Sequence, residues 1–116
     1  MMWHPTCHDS KALDFLDQYL ELNNQELSIF YVWGHSWEFG DKERWDNMVT
    51  FCEKIDRSSD IWSVGNGELT NYLLAIEKIQ IDNNKIANPA DNRLVWIKLS
   101  TGIEKLNAGE SIELKQ

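Results

Sequence analysis

The chain is poor in cysteine and in basic residues, and it has no long apolar run. Two cysteines, Cys7 and Cys52, cannot build the disulfide framework of a small secreted scaffold. Eleven Lys and Arg stand against nineteen Asp and Glu, for a net charge of −8. Nucleic-acid phosphates call for a Lys/Arg surface, so nucleic acid is excluded as a partner and an anionic membrane is disfavoured. No apolar stretch approaches the roughly 20 residues of a membrane-spanning helix. The segment Met1 to Cys7 holds a His and a Pro where a signal peptide needs an apolar centre. The expected compartment is cytoplasmic, unless a leader precedes the chain. Internal repeats and low-complexity tracts are missing too.

What remains is a globular composition: 116 residues, 42% hydrophobic and 26% charged. A chain of this size buries about two thirds of the surface that its unfolded form exposes, enough for a core without staples. Six tryptophans are the anomaly. Ala12, Leu13, Phe15, Leu16, Tyr19 and Leu20 recur at helical spacing and predict a helix over 10–22, capped by Asp9 or Ser10. Ser28 to Trp33 is a continuous apolar run with β-branched and aromatic members. That pattern suits a strand covered on both faces. Asp41 caps a second helix over 42–55, with Trp45, Met48, Val49, Cys52 and Ile55 as its apolar stripe. Ile61 to Val64 reads as a second short strand, and a third helix starts at Asn66 or Gly67.

The order α-β-α-β-α argues for parallel strands with crossover helices. After residue 78 the texture changes to short strand-like pieces punctuated by Asn83-Asn84, Asn88-Pro89, Thr101-Gly102 and Ala108-Gly109. The expected division is therefore 1–78, an α/β part, and 79–116, a small antiparallel β appendage. Two parallel strands are too few for a sheet covered on both faces. The appendage, another chain or a further segment must supply neighbours, and an oligomer is expected.

The segment "WGHSWEF", residues 33–39, with Trp45 and "FCEKIDRSSDIW" after it and "HPTCH", residues 4–8, before it, resembles the C-terminal part of bacterial polysaccharide deacetylases of the NodB-homology type. The tail "NPADNRLVWIKLSTGIEKLNAGESIEL" is similar to the β extension of one branch of that family. The resemblance implies a partial (β/α) barrel followed by that extension. It implies hydrolysis of N-acetyl groups on carbohydrate. It also implies a divalent, zinc-like metal, held by residues of an N-terminal half that this sequence does not match. The chain alone is then expected to lack the metal and base groups and to be inactive by itself. Its partners would be an N-acetylated carbohydrate and either a second copy or an N-terminal deacetylase half. The segment "GNGEL", residues 65–69, departs from the family pattern.

By the same resemblance, His35 is the general acid toward the leaving amine. Imidazole titrates in the range that this task needs. Gly34 beside it permits close approach of backbone or ligand. Glu38 is expected to orient His35, and Trp37, Trp3 and His8 are candidate substrate contacts, since the apolar faces of sugars pack on indole. Trp33 and Trp62 are expected in the core, and Trp96 on one side of a β sheet. Cys52 is expected as a small core residue. His4, Cys7 and His8 offer three metal-type ligands in five residues, but Pro5 keeps them off one regular helical turn. No metal site is assigned to this chain. The alternative reading is a non-catalytic carbohydrate-binding or interaction module, and a third is the remnant of a broken gene that self-associates.

Overall fold

A computed structural model describes residues 4–22 and 25–115, and Trp3 lies outside them. The chain mixes helix and strand and divides into two compact units, Met1–Trp62 and Ser63–Gln116. The division falls before the third helix, not after it, so that helix belongs with the β-rich part. Among the described residues, no sheet closes on itself.

The first unit is built on a β-α-β turn of chain. Strand β1 (Cys7–His8) lies parallel to β2 (Val32–Trp33), with Cys7 opposite Val32 and His8 opposite Trp33. The pairing extends back one step through Thr6, whose N–H donates to the Tyr31 carbonyl at 2.6 Å and whose hydroxyl accepts the Tyr31 N–H at 2.8 Å. Helix α1 (Ala12–Leu20) connects the strands, entered by a 3-10 turn at Asp9–Lys11. The expected caps do not form there. The His8 ring accepts the Ser10 N–H instead, because the Asp9 carboxylate is engaged elsewhere. Helix α2 (Lys42–Asp56) is capped as expected by Asp41, which accepts the Arg44 N–H at 2.8 Å.

Cys7, Ala12, Leu16 and Phe51 form the core of this unit, with Met48 and Ile55 packed against it. The buried stripe of α2 is thus Met48, Phe51 and Ile55. Trp45, Val49 and Cys52 are exposed. Met48 and Ile55 are shared with the face that the apolar pattern suggests, and the buried face is turned from it by roughly 60°, at about 100° per residue. Phe51 is the larger apolar side chain, and burying it in place of Cys52 removes more surface from water. Ile61 to Val64 forms no strand, and Trp33 and Trp62 are each more than 40% exposed rather than in a core.

The second unit is local in its connections. Helix α3 (Asn66–Glu77) opens at the glycine-rich "GNGEL". Strands β3 (Gln80–Asp82) and β4 (Lys85–Ala87) form a hairpin, and the distant β7 (Ser111–Glu113) adds to β4. A separate hairpin joins β5 (Val95–Leu99) to β6 (Gly102–Leu106) through Gly102, whose φ of +138° needs a glycine. The β6 strand was not legible in the sequence. Ala75, Ile86, Val95 and Leu106 form the core. Trp96 alternates with buried Val95, stands on the outer side and carries Lys105 over its ring at 5.0 Å.

One buried polar residue ties this unit together. Asn88, 3% exposed, donates to the carbonyls of Arg93 and Leu106 at 2.9 and 3.0 Å and accepts from Asn92. Its side chain is satisfied, which is the condition for burying an amide at low cost. Among the described residues, no helix is long and apolar enough to cross a membrane.

Candidate functional site

The two parallel strands end side by side, and the residues that follow them build the site. After β1 comes Asp9; after β2 comes Gly34. A methyl group on Gly34 would lie 2.5 Å from the Asp9 Oδ1, so only glycine leaves the carboxylate its place. Close approach is thus the role of Gly34, with Asp9 as the group that approaches.

The Asp9 side chain is only 6% exposed, and a buried carboxylate needs a partner. Arg44 supplies it from the first turn of α2. Its Nη2 donates to both Asp9 oxygens, at 2.8 and 2.7 Å. Its Nη1 lies 3.7 Å from Glu38, and its guanidinium sits over the Phe39 ring at 5.4 Å. The hydrogen bonds and charge of Asp9, then the charges of Glu38 and Asp41, hold Arg44 more firmly protonated than an ordinary arginine. The Arg44 Nε is buried with no partner among the described residues.

Glu38 lies in the 3-10 turn Ser36–Gly40 that follows His35. One of its oxygens accepts the His35 backbone N–H at 2.9 Å and the His8 Nε2 at 2.9 Å. These two bonds, the backbone one first, hold the Glu38 carboxyl below the ordinary glutamate range. The expectation that Glu38 orients the His35 ring is therefore corrected. Glu38 fixes the His35 backbone, and the ring that it orients belongs to His8.

His8 has both nitrogens committed. Its Nδ1 accepts the Ser10 N–H at 3.3 Å and meets the Ser10 hydroxyl at 2.9 Å. A backbone N–H can only donate, so the network assigns the ring proton to Nε2. That proton points between Glu38 and Asp9, whose Oδ1 lies 3.1 Å away. The His8 ring packs edge-on to Trp33 at 4.8 Å. As placed, His8 supports the site and offers no free nitrogen to a substrate.

His35 is the opposite case. Its ring stacks on Trp37 at 4.0 Å and 10° and meets Trp33 edge-on at 5.5 Å. On one side the ring meets the Glu38 backbone N–H in the capping box of this turn, which leaves its second nitrogen for a bound molecule. Trp37 is 76% exposed, as expected for a contact residue, with one face under His35 and the rest open. His35, Trp33 and Phe39 line an open cleft of about 280 Å³, floored by Phe51 and Met48.

Neighbouring Cys7 is buried, and burial, with the charge of Asp9 second, pushes its thiol upward, away from a reactive thiolate. His4 is exposed, so His4, Cys7 and His8 do not form one ligand set. The set that does gather is His8, Asp9 and Glu38, with one ligand atom from each within 4.8 Å of the others. Those atoms are already spoken for: Arg44 takes both Asp9 oxygens, and Glu38 takes the His8 proton. The residues present fit a guanidinium rather than a divalent ion.

Asp9 and Arg44 were missed as site residues. One signal was available: a basic residue in the first turn of a helix opposes the helix dipole, so it needs another reason to be there. Compared with protein-family models, curated proteins and solved structures, the chain shows no match.

Proposed function

We propose that this is a polysaccharide deacetylase-like protein in which the first unit faces an N-acetylated carbohydrate. On this reading the chain corresponds to the last part of a (β/α) barrel with its β extension. His35 holds the general-acid position toward the leaving amine, and Trp37 is the platform for a sugar ring. The observation that carries the reading is the His35–Trp37 stack just past the end of β2, on an open cleft. An amide nitrogen leaves poorly until it is protonated, and an imidazole at the rim of a cleft is suited to deliver that proton. On this reading water activation is not assigned to this unit: among the described residues, the carboxylates and imidazole that gather are engaged by Arg44 and by one another. That step would fall to a separate N-terminal half.

The test has two arms. The chain is mixed with the N-terminal half of a family enzyme, and amine release from chitooligosaccharides is measured. Release is expected, with a loss of roughly 10²- to 10⁴-fold in His35→Ala. The isolated chain is titrated with the same sugar by tryptophan fluorescence. Saturable binding is expected, weakened about tenfold in Trp37→Ala. Binding without amine release would favour the second reading, a non-catalytic carbohydrate module, which the exposure of Trp37 also supports. Neither binding nor release would end both.

A further inference from the structure

The His8–Asp9–Glu38 cluster gathers two carboxylates and an imidazole at the ends of two strands, and it needs a cation. Arg44 reaches it across 35 residues of sequence and binds both Asp9 oxygens. Glu38 in turn carries the His35 N–H and the His8 Nε2 proton. We propose that Arg44 is the resident cation of this cluster and a positioning residue. By holding Asp9 and drawing Glu38 toward it, Arg44 fixes the His8 ring in its Nε2–H form. It also fixes the turn that presents His35 and Trp37.

The geometry supports a device of fixed shape. A Cβ at Gly34 would stand 2.5 Å from Asp9 Oδ1, so glycine at that position keeps the seat of the carboxylate clear. The guanidinium is braced from its face by Phe39 at 5.4 Å. Nη2 binds Asp9 and Nη1 turns toward Glu38, so one planar guanidinium serves two carboxylates, whereas a lysine would bring a single point of charge. A divalent ion would have to displace this guanidinium from Asp9 and the proton from His8 together.

The experiment is long-range ¹⁵N–¹H correlation of the imidazoles in the full chain. It is run on the unaltered protein, on Arg44→Lys, Arg44→Met and Gly34→Ala, and on the unaltered protein with one equivalent of Zn²⁺. The chain has three histidines, so His4→Gln and His35→Gln assign the His8 signals. In the unaltered protein, His8 is expected as a single tautomer with a slowly exchanging Nε2 proton. Arg44→Met should lose the fixed tautomer, speed that exchange roughly tenfold or more, and raise the exchange of the His35 amide with it. Arg44→Lys should fall between, and Zn²⁺ should leave His8 unmoved. Gly34→Ala, which displaces Asp9 without changing any charge, should reproduce the Arg44→Met pattern, so the test survives if Arg44→Met does not fold. A His8 ring that averages its tautomers in the unaltered protein, that ignores both Arg44→Met and Gly34→Ala, or that binds Zn²⁺ would overturn the proposal. None of these readouts uses a sugar, so the proposal stands or falls apart from the deacetylase reading.

Discussion

The two units solve the same problem in different ways. The second pairs its strands mostly as antiparallel hairpins, and its buried Asn88 satisfies its side-chain amide locally. The first has two parallel strands joined across a helix and tied by a hydrogen bond and an ion pair that span 30 and 35 residues. It also shows more apolar surface. Of the thirteen exposed large apolar residues among those described, nine, Trp33, Trp37 and Trp45 among them, lie in Met1–Trp62. A unit that leaves its tryptophans in water and spends its charges on fixing a turn is arranged around a surface. A unit that buries and pairs its polar groups is arranged around a core. That contrast is the reason for placing the proposed function in the first unit.

The largest effects should come from the cores. Leu16 and Leu106 are each 1% exposed. Replacement of either by Ala should cost about 2–5 kcal/mol, with the greater loss of amide protection in the unit that carries the change. Hydrogen exchange measures both at once. Equal loss in both units from either change would erase the contrast.

Glycine substitutions sharpen it by changing sign. Gly34→Ala forces a methyl group against Asp9 and should destabilise by roughly 1–3 kcal/mol. Gly67, in α3, has open space where a Cβ would stand. Gly67→Ala should stabilise by about 0.4–1 kcal/mol, through the entropy of the unfolded chain. Thermal melts of the two variants should move in opposite directions.

Acid should find both units through one glutamate each. Glu38 is held below its ordinary range by the His35 N–H and then His8; Glu110 is held there by the Asn107 N–H and then the Asn107 side chain. A depressed carboxyl contributes stability above its unfolded value, about 4.3. The contribution is lost as pH falls through the lower folded value. Glu38→Gln should flatten the acid limb of the first unit and Glu110→Gln that of the second. Unfolding followed from pH 7 to pH 2 checks this. An unchanged acid limb in either variant would remove that glutamate from the account.

The smallest expected signal is self-association. Two parallel strands leave open edges, and open edges invite pairing with another chain. We expect a dimer or larger at high micromolar concentration by light scattering. A clean monomer would show that the edges are protected.

The helices were legible in the sequence because their caps and spacing are local. Asp41 before Arg44 and the Leu13–Leu16–Leu20 series are read within two turns. The exposure of Trp37 and the need for Gly34 were legible for the same reason. The stripe on α2 held at Met48 and Ile55 and failed at Trp45, Val49 and Cys52, because Phe51 is the larger side chain and turns its own face inward. Glu38 was matched to His35 because the two are three residues apart, but its ring partner, His8, lies 30 residues back. Asp9 and Arg44 meet only when β1, β2 and α2 are in place, and no local pattern records that meeting. The tail strand β6 was hidden because Gly102 and Thr101 read as punctuation alone.

The most direct test of where the function lies is a chitooligosaccharide titration followed by the imidazole and indole NMR signals together. The account predicts saturable shifts at the His35 ring and the Trp37 indole while the His8 ring stays fixed. Shifts confined to Ser63–Gln116, or none at any sugar concentration, would contradict it.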